Sequence, residues 1–282
     1  MADFLINSSA DLEPIESTGA RPRLLQQRNA VWSSVRIWSA RGVMSLVDQG
    51  LISGANFFVG IILARHLASN QYGAYALAFE IFLFLAVVYG ALVLEPLSVF
   101  GSSVYKDSNR EYLGALIRIH AVIAALIFLV LGACAWIMHL ISPGDSIAPA
   151  LIGVGIGSPF VLLFWLARRG FYLKLSSRQA AAGAFVYSGI VLGGLLIADR
   201  LGLLSPLAAF VLMGGGAAVT VPMMLARLEF SLKPKEGITQ ITEIIRRHWR
   251  YGRWALGSAV AIWFSSAIYY PLLGSLHGLS DA

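Results

Sequence analysis

The sequence predicts an all-α fold: a polytopic membrane helix bundle of about seven transmembrane helices with a cytoplasmic N-terminus. Three observations predict it. Hydrophobic residues make up 57% of the chain and charged residues only 13%, against about 45–50% and about 25% in a soluble domain. The apolar residues gather into runs long enough to cross a bilayer, which takes roughly 20 residues of helix. The lysines and arginines fall almost entirely on one side of those runs.

The runs are 43–64, 74–98, 113–141, 147–167, 179–198, 206–226 and 254–274. Inside lipid every backbone polar group needs an internal partner, so only helices or closed barrels can cross. Barrel strands alternate in polarity over about 9–11 residues; these runs are longer and uniformly apolar, which leaves helix. The N-terminal tail carries five basic residues, and loops 99–112, 168–178 and 227–253 carry two, four and seven. The opposite side has only Arg65 and Arg200, and Arg118 falls within a run. This imbalance puts the tail and the even-numbered loops in the cytoplasm. It also explains the net charge of +6 without nucleic-acid binding, because the basic residues sit in short loops rather than on a soluble domain. The tail has no early apolar core of the kind a cleavable secretory signal needs. A single cysteine, Cys134, excludes an intrachain disulfide.

Two segments are predicted to lie along the cytoplasmic surface rather than cross. Residues 31–42 mix Val31, Trp32, Val35 and Trp38 with Arg36 and Arg41, the make-up of an interfacial helix. In 227–253, Ile238, Ile241, Ile244 and Ile245 recur at helical spacing before Arg246, Arg247, His248, Trp249 and Arg250. That is a basic amphipathic linker leading into the last run. The domain organisation is thus a tail to residue 42, a six-helix lobe over 43–226, the linker over 227–253, and a seventh helix with its outer end over 254–282. Within the runs, Gly153, Gly157, Gly189, Gly193 and Gly214–Gly216 would let helices approach closely. Pro149, Pro159, Pro222 and Pro271 are candidate kinks.

Ionisable residues within a span are costly and are functional candidates by default. Asp48 shares a polar stripe with Ser45, Gln49, Ser53 and Asn56, at steps of three and four residues, which places it on one face turned to a bundle interior or a water-filled cavity. Glu80 and Glu95 occupy the second run, fifteen residues apart, or about 60° from the same direction on an α-helix. Arg118 is either a snorkelling cation or part of a charge cluster with Asp48 and Glu95 near the cytoplasmic ends of consecutive helices. His120 is expected at the interface. The candidate substrate- or cation-binding set is therefore Asp48, Asn56, Glu80, Glu95 and Arg118. No phosphate-binding GxxxxGK[ST] loop, Cys/His metal pattern, G-x-S-x-G elbow or HExxH pair occurs. With outward loops this short, the expectation is a non-enzyme without a cofactor.

Several stretches resemble the polysaccharide transporters, or O-antigen flippases, of the MOP superfamily: Ser45–Gly60 (SLVDQGLISGANFFVG), Ala64–Arg65, Gln71–Tyr75 (QYGAY), Leu94–Leu97 (LEPL) and Tyr251–Leu256 (YGRWAL). The resemblance implies a multi-pass protein of the bacterial inner membrane. It implies a flippase that moves polyprenyl-pyrophosphate-linked oligosaccharide outward by alternating access of two six-helix lobes. Its partners would be that lipid-linked oligosaccharide, membrane lipids, and a second lobe or a copy of itself, with no nucleic acid. Arg118 would be the phosphate contact, and Asp48, Glu80 and Glu95 would hold sugar hydroxyls or a coupling cation. Family members carry about twelve to fourteen spans, so the chain would represent the first lobe, the linker and the first helix of the second lobe, a partial or truncated form. The rival readings are a cation-coupled small-molecule exporter of the same superfamily and a non-transporting scaffold or inert fragment of a polysaccharide-export system.

Overall fold

The computed structural model describes residues 20–233 and 240–267, with side chains at Ser39, 42–233 and 240–265. Two compact units are present, Met1–Val43 and Met44–Ala282. The first is helical from Ala20 onward. The second consists of helices, with no strand among the described residues. The helices are α1 (Ala20–His66), α2 (Ser69–Tyr89), α3 (Glu95–Ser102), α4 (Asn109–Ile141), α5 (Ile147–Leu173), α6 (Ser177–Arg200), α7 (Pro206–Leu225) and α8 (Ile241–Ala267), with a π-helical turn over Gly90–Leu94 joining α2 to α3. Among the described residues six spans are long and apolar enough to cross a membrane: Gly42–His66, Ser69–Ser102, Lys106–Ile141, Ile147–Leu173, Ser177–Arg200 and Pro206–Leu225. The chain is a multi-pass membrane protein of the expected helical class.

All but the last of the spans outrun the apolar runs that announced them. The expected interfacial helix at 31–42 is no separate element, since α1 runs unbroken from Ala20; the side chains of Trp32 and Trp38 lie outside the described residues. The amphipathic linker and the last run likewise share one helix, α8, and residues 268–274 of that run, with Pro271, fall outside the described residues. Most consequential is α5. Its apolar run stops at Ala167, yet the helix continues to Leu173 and carries Arg168 and Arg169 with it. Arg118 is therefore not the sole basic residue within a span. Counting Arg168 and Arg169 as span residues leaves the loop imbalance at sixteen to two, so the topology argument survives while the assignment of both arginines to a loop does not.

The centre of the six-helix lobe is α5, which packs against α7 along a glycine seam. A methyl group on Gly157 would sit 2.4 Å from the Phe210 carbonyl oxygen, and one on Gly214 would sit 2.6 Å from the Gly157 Cα. Glycine is required there because the backbones nearly touch. Gly153 and Gly216 also face close neighbours, whereas Gly189, Gly193 and Gly215 face open space. Only part of the expected small-residue set therefore serves helix packing within this chain.

The π turn explains how α8 docks. Pro96 has no N–H, so the Leu92 carbonyl four residues earlier lacks its helical donor. The Glu95 N–H reaches back five residues to the Gly90 carbonyl, which bypasses Ala91. Both bypassed carbonyls meet α8. His248 Nδ1 donates to the Leu92 carbonyl at 2.9 Å, and Gly252, one helical turn on, lies so close to the Ala91 carbonyl that a methyl group would stand 2.7 Å away. With Nδ1 donating, the neutral ring accepts the Tyr112 hydroxyl at Nε2, 2.7 Å away. His120, expected at the interface, is instead 4% exposed and shares a 3.0 Å hydrogen bond with the Tyr89 hydroxyl.

Candidate functional site

Asp48 is fully buried. An isolated carboxylate there would be prohibitive, and the structure supplies a cation: Arg168 Nε donates to Oδ1 at 3.1 Å and Arg168 Nη2 to Oδ2 at 2.5 Å. This two-point match between guanidinium and carboxylate is the geometry that arginine favours. The Tyr172 hydroxyl also donates to Oδ2. Phe164, Arg168 and Tyr172 are spaced by four, so they share one face of α5. The Arg168 guanidinium lies 5.5 Å from the Phe164 ring centroid. On the other flank the Ser188 hydroxyl of α6 donates to the Leu51 carbonyl at 3.2 Å. Two long helices, far apart in sequence, are thus fixed by a buried ionic clamp.

Beside the clamp lies a cavity of about 300 Å3 lined by Gln49, Ile52, Leu94, Trp165, Arg168, Arg169 and Tyr172. Arg168 spends its charge on Asp48. Arg169 is half-buried, and no ion pair or hydrogen bond engages it among the described residues. The cavity therefore presents one free guanidinium, the aromatic faces of Trp165 and Tyr172, and the Gln49 amide.

The sequence-predicted residues do not form the expected cluster. Asp48 meets Arg168, not Arg118. Glu95 is exposed and outside the cavity lining. Its place at the head of α3 suits Pro96, which is favoured in a first helical turn. Asn56 and Glu80 are half-buried and also outside that lining. Arg118 lines a separate crevice against α8. Arg168, Arg169, Trp165 and Tyr172 were missed because two consecutive arginines after an apolar run read as a loop signal. The available clue was the i, i+4, i+8 recurrence of Phe164, Arg168 and Tyr172 across that boundary. No group of three or more His, Cys, Asp or Glu residues suited to a metal ion occurs among the described residues.

No family model matches the sequence, and no curated protein matches it. Two similar solved structures show the fold. One, of a protein called "protein A", superposes with a TM-score of 0.70 at 15% identity, covering 87% of this chain and 58% of that one. The other is the outward-facing conformation of a multidrug resistance MATE family transporter of the MOP superfamily, with a TM-score of 0.67 at 12% identity, covering 84% of this chain and 55% of that one. The chain spans little more than half the length of the structures it matches, and over that length it has the helical fold seen in a MOP-superfamily transporter.

Proposed function

We propose that the chain is a lobe of a membrane flippase that carries polyprenyl-pyrophosphate-linked oligosaccharide across the bacterial inner membrane by alternating access, together with a second lobe. The observation that carries this reading is the cavity beside the Asp48–Arg168 clamp. Among the described residues the cavity's one free cation is Arg169, which suits a pyrophosphate. Trp165 and Tyr172 offer flat amphipathic faces for sugar rings, and Gln49 offers an amide for hydroxyls. Asp48 positions Arg168 and Tyr172 at the cavity wall; it does not bind cargo. The phosphate contact expected at Arg118 moves to Arg169, because Arg118 does not line this cavity.

The test is surface polysaccharide in cells that lack their own flippase and express this lobe joined to a second lobe. Export restored by the parent and lost with Arg169→Gln or Trp165→Ala, at equal membrane levels, is the expected result. Export that persists in both variants would reject the cavity as the cargo site.

The MATE likeness together with Glu80, a half-buried carboxylate without a described ion-pair partner, favours a second reading, a cation-coupled exporter of small molecules. Resistance to a cationic drug that Glu80→Gln abolishes and Arg169→Gln spares would establish that reading instead.

A further inference from the structure

A second opening, of about 420 Å3, lies between α4, the π turn and the start of α8. Its walls are almost wholly apolar, including Leu92, Ile119, Ile123, Ile241 and Ile245. Only Arg118, His248 and Trp249 bring polar atoms to it, and both ring nitrogens of His248 are already engaged. Arg118 is the exception: its Nε and Nη2 are buried and have no hydrogen-bond partner among the described residues. A guanidinium nitrogen shut away from water favours an acceptor. A site of this make-up is complete only with an anion that arrives on an apolar chain.

We propose that this crevice binds one anionic phospholipid of the surrounding leaflet, its phosphate on Arg118 and an acyl chain along the isoleucine wall. Depth agrees. Arg118 stands five residues inside the apolar run that begins at Leu113, about 7.5 Å along the helix axis, within reach of headgroup phosphates for a long cationic side chain. Trp249 at the rim is 53% exposed, as an interfacial anchor is. The same helix turns carry Arg246, Arg250 and Arg253, which draw anionic lipid to that surface. The chemistry argues against the sugar-bearing cargo as occupant, because the lining has no free amide, hydroxyl or carboxylate to receive an oligosaccharide. The proposal stands whether or not the flippase reading does, since the crevice and the cavity beside Asp48 share no lining residue.

The experiment uses the purified chain in uncharged detergent, with thermal unfolding followed as phosphatidylglycerol or phosphatidylcholine is added, and with native mass spectrometry of the bound species. A ligand that binds only the folded state raises the melting temperature as its concentration rises. The expected result is a saturable rise with phosphatidylglycerol, little with phosphatidylcholine, and one lipid retained per chain. Arg118→Gln loses the phosphatidylglycerol response while its lipid-free melting temperature is kept. Ile245→Trp, which fills the crevice without altering charge, loses it too. Equal responses to both lipids, or an undiminished response in Arg118→Gln and Ile245→Trp, would overturn the proposal. So would displacement of the bound phosphatidylglycerol by equimolar undecaprenyl pyrophosphate, which would make the crevice a cargo site.

Discussion

Two arginines within the membrane spans, Arg168 and Arg118, differ in what meets them. Arg168 lies across a fully buried carboxylate with two hydrogen bonds and a tyrosine on the same oxygen. Arg118 lies among isoleucines with two nitrogens unanswered among the described residues. The first is a finished structural element, because its charge is spent inside the chain. The second is unfinished, and the missing part has to come from outside. In a membrane protein, then, a buried charge is informative about ligands only after its internal partners have been counted.

The largest expected effect comes from breaking the clamp. Asp48→Asn leaves the Arg168 guanidinium buried without its counter-charge, a change that costs about 3–5 kcal/mol in buried ion pairs. Arg118→Gln removes a charge that has no ion-pair partner among the described residues, so it is expected to leave the lipid-free protein as stable as the parent or slightly more so. Denaturant or thermal unfolding of both variants in lipid-free detergent checks the contrast directly. Equal losses in the two would mean that Arg118 has an internal partner after all, and the distinction between the regions would collapse.

A smaller cut sharpens the same contrast. Tyr172→Phe deletes one hydrogen bond to the Asp48 carboxylate and keeps both guanidinium contacts. Hydrogen bonds to charged groups contribute about 1.5–3 kcal/mol; with the carboxylate still paired, the loss belongs near the bottom of that range. A double-mutant cycle of Tyr172→Phe with Asp48→Asn should show strong coupling, because both changes act on one oxygen. Additive losses would mean that the hydroxyl and the carboxylate act separately.

The helical class and the six long spans were legible because lipid leaves the backbone so few choices, and long apolar runs report that directly. Helix ends were less legible, because composition marks where apolarity stops, not where hydrogen bonding stops. In α5 the helix runs six residues beyond its apolar run, and those residues hold Arg168, Arg169 and Tyr172. Asp48 could be singled out from its own helix, but its partner lies 120 residues away, and only tertiary packing brings such a pair together. The π turn followed the same rule. The second apolar run, 74–98, carries across Glu95–Pro96, and the two carbonyls freed there gain meaning only when His248 and Gly252 are seen against them.

His248 provides the mildest test, and it separates the regions by pH. Burial holds its ring below the ordinary histidine range, against a weaker opposing pull from the hydrogen bond to the Leu92 carbonyl. The unfolded chain therefore takes up a proton near the ordinary value of about 6.5, where the folded ring stays neutral. In that interval the unfolded state binds more protons, so stability is complete above about pH 6.5 and declines as the pH falls toward the depressed folded value. The geometry gives the reason. A protonated Nε2 has to donate to the Tyr112 oxygen, and the displaced hydroxyl hydrogen has only the Pro96 carbonyl, 3.5 Å away, to turn to. Because His248 also lines the Arg118 crevice, acidification should loosen α8 from the π turn and weaken the phosphatidylglycerol response. The Asp48 clamp contains no histidine and should hold over the same interval. Hydrogen exchange at pH 7.5 and pH 5.5, corrected for the intrinsic rate at each pH, is the measurement: lower protection at pH 5.5 in the first turns of α8 with little change near Asp48, and protection independent of pH in α8 of His248→Gln, is the expected pattern. A uniform loss of protection across α1, α5 and α8 would show that the two regions open as one.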